Sequence, residues 1–172
     1  MQITVAEARL LKNAVSKKLH DLIQERNQIA YVEFEKGEKY TPHARTFQEV
    51  GTEIHQVRNH YRAVIKALAA SNLRTTIEWK GEKVSIVEAL ELVKQLRAEA
   101  EMLQEFGNSQ QVDRIARGAF DANVTYKKAL FDPPAVKKQA EKTEKEANRL
   151  SILIDKANFS ATVDLDFVEE YQ

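Results

Sequence analysis

Residues 47–77 read FQEVGTEIHQVRNHYRAVIKALAASNLRTTI, and the reading of this stretch decides the fold. Its apolar positions are Phe47, Val50, Ile54, Val57, Tyr61, Val64 and Leu68. The steps between them alternate three and four, which places a continuous stripe on one side of a helix and calls for a partner helix. Glu49, Glu53, Gln56, Arg58, Asn59, Arg62 and Lys66 fill the opposite, polar side. Thr46 followed by Glu49 forms a capping-box pattern, in which hydroxyl and carboxylate satisfy free backbone N–H groups. Pro42 suits a first helical turn and offers a second possible start. Asn72 tolerates the left-handed conformation that ends many helices, so the helix is expected to stop there. Thr75, Thr76, Ile77, Glu78 and Trp79 are then β-branched or aromatic with some alternation, and predict a strand.

Outward from this stretch the pattern recurs. Thr4 and Glu7 cap a first helix to about Ala30 with the stripe Ala8, Leu11, Val15, Leu19, Leu22 and Ile29. Tyr31 to Glu35 alternates and predicts a short strand, and Lys80-Gly81-Glu82 a hairpin turn. Ser85 and Glu88 repeat the capping box before a third helix with Ile86, Ala89, Val93, Leu96, Ala100 and Leu103, closed by Gly107. Residues 108–122 predict a short helix or packed loop, and Val124 to Phe131 a strand. Asp132-Pro133-Pro134 starts a fourth helix with Val136, Ala140, Thr143, Ala147, Leu150, Ile154 and Ala157. That helix ends at Asn158, and Phe159 to Phe167 forms a closing strand.

The halves align. Asn72 to Trp79 matches Asn158 to Leu165, Val64 and Leu68 match Leu150 and Ile154, and Thr41-Pro42 matches Asp132-Pro133. The expected fold is mainly α with a minor β part. It is an internally duplicated antiparallel four-helix bundle in one domain, 1–172, with halves of about 1–80 and 81–172. The two strands that follow the asparagines are expected to pair in one small sheet at one end.

Composition excludes several classes of function. The 172 residues carry 26 basic and 26 acidic side chains and a net charge of zero, so no global field favours nucleic acid or an anionic membrane. With no Cys there is no disulfide, thiol nucleophile or thiolate metal site. No signal peptide is read at the N-terminus and no apolar run approaches a bilayer span, so the expected location is the cytoplasm.

Ser71-Asn72 through Thr76, Val84-Ser85 through Ala89-Leu90, and Ala157-Asn158 through Asp164 together resemble the septicolysin-like family of small bacterial and phage-associated proteins. The resemblance implies a helical protein with a small β element and no established enzymatic role. The sequence carries no amphipathic β-hairpin long enough to build a pore, which argues against a cytolytic activity here.

Chemistry-bearing motifs are few. His55 and His60 stand five apart and do not form an i, i+4 metal pair. No Glu-x-x-His, phosphate loop or nucleophile elbow occurs, and the four histidines read as solvent-facing. No metal, cofactor or catalytic residue is expected. Two basic clusters remain. His55, Arg58 and Arg62 on the second helix suit an oxyanion, since Arg binds such groups bidentately; the ordinary alternative is pairing with acids on a neighbouring helix. Arg114, Arg117, Lys127 and Lys128 flank the 108–122 stretch and suit a nucleotide or phosphate backbone, with solvated charge around a strand as the ordinary alternative. The first functional expectation is a non-enzymatic interaction protein whose partner is another copy of itself. The second is a binder of a small anionic, nucleotide-like ligand, and the third a membrane-active protein.

Overall fold

The computed structural model describes residues 1–115 and 125–171. It is mainly helical, with small antiparallel sheets. The elements are β1 (Gln2–Thr4), α1 (Val5–Gln28), α2 (Phe47–Arg74), β2 (Thr76–Trp79), β3 (Glu82–Ser85), α3 (Ile86–Gly107), β4 (Val112–Ile115), β5 (Thr125–Lys128), α4 (Pro133–Ser160), β6 (Thr162–Asp164) and a final 3-10 turn, Val168–Tyr171. The chain divides into two compact units: Met1–Thr75 with Ala157–Gln172, and Thr76–Lys156.

All three expected capping boxes form. Glu7 N–H donates to Thr4 Oγ1 at 3.1 Å and Thr4 N–H to Glu7 Oε2 at 2.7 Å. Thr46 with Glu49 and Ser85 with Glu88 do the same. Each box satisfies backbone donors that a helix start leaves open, so each fixes where its helix begins. At α2 this excludes the start at Pro42: Thr46 directly precedes a helix, as Asp132 does, and Thr41 does not. Asp132 O accepts the first-turn bond from Val136 N at 3.0 Å, as Thr46 O accepts from Val50 N at 3.2 Å.

In the first unit, α1 and α2 bury Val5, Ala8, Leu11, Val15 and Leu22 against Val50, Ile54, Val57 and Val64. Ile3 of β1 and Val163, Leu165, Phe167 and Val168 from the chain's end complete that core. Full burial of such a side chain contributes about 1.5–3 kcal/mol. In the second unit the buried apolar residues are Ile86, Ala89, Val93 and Ala100 of α3 with Ala140, Ala147, Leu150 and Ile154 of α4. They lie at the expected seam positions.

Several expectations about ends and strands are corrected. α2 runs past Asn72 to Arg74, with Thr75 as an extended cap, and α4 runs past Asn158 to Ser160. Neither asparagine has a positive φ; Lys80 is the only non-glycine that does among the described residues. Gly107 is likewise helical, with Asn108 as the cap. Its lack of a side chain serves packing instead: an added Cβ would lie 2.7 Å from Lys137 Cα on α4. Tyr31–Glu35 is not a strand, whereas Val112–Ile115 is one rather than a helix or loop. The closing strand is only Thr162–Asp164.

The strands also pair differently from expectation. β2 and β6 do not share a sheet; among the described residues the sheets are three two-stranded ones, β1–β6, β2–β3 and β4–β5. β2 and β3 join through Lys80 and Gly81, both at positive φ (52° and 88°), the geometry of the tight turn that matches strand twist. Once this turn commits β2 to β3, β6 takes β1. Thr76 stands opposite Ser85, Ile77 opposite Val84 and Glu78 opposite Lys83. Thr162 stands opposite Thr4, Val163 opposite Ile3 and Asp164 opposite Gln2.

Candidate functional site

On α2 the seam residues Val50, Ile54, Val57 and Val64 turn inward. His55, Arg58 and Arg62 are all exposed. Arg62 donates to Asn59 Oδ1 on its own helix. None of the three lines a cleft described below.

His60 departs from the solvent-facing expectation. Its side chain is 15% exposed, its ring stacks on Phe167 with centroids 4.1 Å apart, and its Nδ1 lies 2.8 Å from Tyr171 Oη. Glu170 Oε2 lies 3.8 Å away. Burial raises the Tyr171 hydroxyl above its usual pKa, and the charges of Glu170 and Glu53 add to that. The cluster pins the final turn to α2. Sequence spacing could not reveal it, because His60 and Tyr171 lie 111 residues apart.

A second polar cluster joins α1, the 29–46 connection and α2. Glu53 receives Lys18 Nζ at 3.1 Å and is also bonded by Arg45, which reaches Glu25 at 2.9 Å. Burial pushes the Glu53 carboxyl up, but the bonds from Arg45 and Lys18 outweigh it and hold the group below its usual pKa. These are ion pairs that fasten elements together.

The β4–β5 arm carries the other expected residues. Asp113 stands opposite Lys127, Arg114 opposite Tyr126 and Val112 opposite Lys128. Since side chains alternate along a strand, Lys128 shares a face with Arg114 while Lys127 shares the other with Asp113. Arg117 lies outside the described residues. A cleft of about 570 Å³ beside the arm is lined by Lys127, Lys128, Asp113, Phe106, Leu130 and Phe131, among others. Phe106 and Phe131 meet edge to face, with centroids 5.6 Å apart. Two backbone-directed bonds close the arm's base: Ala129 N–H to Gln111 O and Gln111 Nε2 to Ala129 O, each 2.9 Å.

Two more grooves lie where a strand end meets a helix. In the second unit, Glu78, Trp79 and Lys80 face Glu146, Arg149, Ile152 and Leu153. Lys80 Nζ bonds Glu146 Oε2 at 2.7 Å and lies 5.6 Å from the Trp79 ring centroid. That bond holds the Glu146 carboxyl below its usual pKa. In the first unit, Asp164, Leu165, Asp166 and Phe167 face Ala63, Lys66, Ala67 and Ala70.

Among the described residues no group of three or more His, Cys, Asp or Glu side chains is placed to hold a metal ion, and no helix is long and apolar enough to cross a membrane. No protein-family model matches the chain, and no curated protein matches it. Among solved structures, it is similar to a functionally unknown conserved protein from Corynebacterium diphtheriae, at 17% identity and a TM-score of 0.66 over 95% of this chain and 100% of that one. At that identity the likeness is one of fold.

Proposed function

We propose that the protein is a non-enzymatic interaction protein that associates with further copies of itself through the β4–β5 arm. The observation that carries this reading is the arm's exposed apolar surface. Leu130 is 95% exposed and Tyr126 63%, and Val112, Ile115 and Phe106 beside them are also exposed. Concentrated apolar exposure of this kind marks association surfaces. Neither β4 nor β5 has a second partner strand among the described residues, so each offers an edge for pairing. The arm carries both signs of charge, Asp113 with Arg114, Lys127 and Lys128, which suits a two-fold contact of the arm with itself. The chain's zero net charge adds no repulsion between copies.

Light scattering tests this. The wild type is expected at a multiple of 19.7 kDa, and Leu130→Asp with Tyr126→Lys at 19.7 kDa with unchanged helix content. A wild-type mass of 19.7 kDa at every concentration overturns the reading.

A second reading, a small anionic ligand, is favoured by one observation: Lys127 and Lys128 line the same cleft as the Phe106–Phe131 pair. Ammonium groups beside aromatic rings suit a planar anion. Titration calorimetry with adenosine monophosphate as the probe, against Lys127→Ala and Lys128→Ala, tests it. His55, Arg58 and Arg62 have no part in this version.

We further infer an internal duplication. Thr4, Val5 and Ala8 correspond to Ser85, Ile86 and Ala89, and both sets form a cap followed by two buried positions. Thr46 corresponds to Asp132, each just before a helix of 28 residues. Thr76, Ile77 and Glu78 correspond to Thr162, Val163 and Asp164, and the two strand pairs have the same register under this match. Placement in the septicolysin-like family and in the cytoplasm belongs to the same proposal; the helical layout supports the former.

A further inference from the structure

We propose that the two repeats hold each other by exchanging their last strands, so that the partner each repeat recognises is the other repeat. The inference rests on the duplication argued above and goes beyond it, since duplicated halves need not exchange anything. The strand that follows α2 lies in the unit of α3 and α4, and the strand that follows α4 lies in the unit of α1 and α2. Each therefore completes a helical pair encoded by the other half.

The two strand-on-helix grooves show the exchange residue by residue. Glu78, Trp79 and Lys80 lie over Arg149, Ile152 and Leu153. Asp164, Leu165 and Asp166, their counterparts, lie over Ala63, Lys66 and Ala67, the counterparts of those helix residues. A strand returning onto its own helix would give neither groove. The strands make the same crossing. Ile77 pairs with Val84 of the second repeat rather than with Ile3 of its own, and Val163 pairs with Ile3 of the first rather than with Val84.

The cause is local. A two-residue turn at Lys80-Gly81 forces β2 onto β3 and so onto the next repeat. The core of the first unit then lacks a strand until the chain's end supplies Val163, Leu165, Phe167 and Val168, all buried there. On this account the turn directs the pairing, and neither forming nor keeping the fold requires the covalent link at Lys80–Gly81. The β2–β3 ladder on one side and the burial of the chain's end in the first core on the other hold the repeats together.

The test cuts that link in the folded, full-length protein. A specific protease site is inserted at the Lys80–Gly81 turn, where nothing lies within 4 Å of a Cβ added at Gly81. Leu130→Asp and Tyr126→Lys are included, so that association between copies does not obscure the result. After cleavage, fragments 1–80 and 81–172 are expected to co-elute at the intact mass and to unfold in one transition. Gln2→Cys with Asp164→Cys, in a chain that has no cysteine of its own, is expected to link the two fragments on oxidation. Fragments that separate under native conditions, or fail to link, overturn the exchange. If each separated fragment keeps its helices, the duplication stands without it. A circular permutant that begins at Gly81 and ends at Lys80, its old ends joined by a Gly-Ser linker, covers the case in which insertion blocks folding. It is expected to match the parent's helix content and to unfold within a few degrees of it, and failure to fold overturns the exchange.

Discussion

The pairs β2–β3 and β1–β6 share a register and are held by different means. In β2–β3 the strands are neighbours in sequence, the turn sets the geometry, and Ile77 and Val84 are only half-buried. In β1–β6 the strands come from opposite ends of the chain, and Ile3 and Val163 are each 5% exposed. The N-terminal amine donates to Leu165 O at 2.6 Å, and Leu165 N–H donates back to Met1 O at 3.0 Å. Leu165, Phe167 and Val168 then sink into the α1–α2 core, and His60 stacks on Phe167. A short turn costs little closure entropy, whereas joining distant segments costs more and needs burial to offset it. Where the chain supplies a turn, the pair can stay near the surface; where it does not, the pair must be anchored in the core.

The largest expected effect bears on that anchor. Phe167→Ala removes the His60 stack and leaves a cavity, at a cost of about 3–5 kcal/mol, readable by urea unfolding. A loss below about 1 kcal/mol, the size of an ordinary surface change, would show that burial does not hold β1–β6. Next comes the second unit, where a close helix approach stands out instead. Gly107→Ala forces a Cβ onto the Lys137 backbone and is expected to cost about 1–3 kcal/mol; an unchanged midpoint would show that α3 and α4 can part at no cost. In the hairpin, Gly81→Ala puts a side chain at a φ of 88°, which costs about 1–2 kcal/mol. Thermal unfolding should show it, and a stabilised variant would mean that the turn does not set the register.

Smaller effects test the likeness of the two pairs. Thr4→Ala and Ser85→Ala each remove a cap that also ends a strand, and each is expected to cost about 1 kcal/mol. Unequal losses would argue against equivalent roles. The smallest effect concerns acid. Hydrogen bonds from Thr4 and Thr46, backbone first, hold Glu7 and Glu49 below the usual carboxylate pKa; for Glu88 the Ser85 hydroxyl leads and its backbone N–H follows. Because the folded value lies below the unfolded one, the stabilisation is complete above the unfolded value of about 4.3. It fades as pH falls through the folded value. Replacing all three by Gln should flatten the acid limb of helix content against pH, and an unaltered limb would place the acid sensitivity elsewhere.

Much of this architecture was legible in the residues. The three–four spacing of apolar positions found α1, α2, α3 and α4, and Thr4/Glu7, Thr46/Glu49 and Ser85/Glu88 fixed the starts of the first three, because a capping box is a contact within four residues. Helix ends were less legible. Asn72, Gly107 and Asn158 looked like stops, yet backbone bonding continues through each, and the spacing at Gly107 reflects a neighbour on another helix. The basic clusters were legible as residue types, while their placement was not: His55, Arg58 and Arg62 are outward-facing on a helix, and Lys127 and Lys128 alternate along a strand yet line one cleft. The His60–Phe167–Tyr171 cluster was invisible, since its parts lie about a hundred residues apart.

Short-range spacing along the chain is enough to specify a mainly helical protein, its seams, its caps and the turn at Lys80-Gly81. Which strand meets which, and so which unit each strand joins, is settled in three dimensions. Strand partners are chosen by chain connection and by the burial that remains to be filled, and neither is written at any single position.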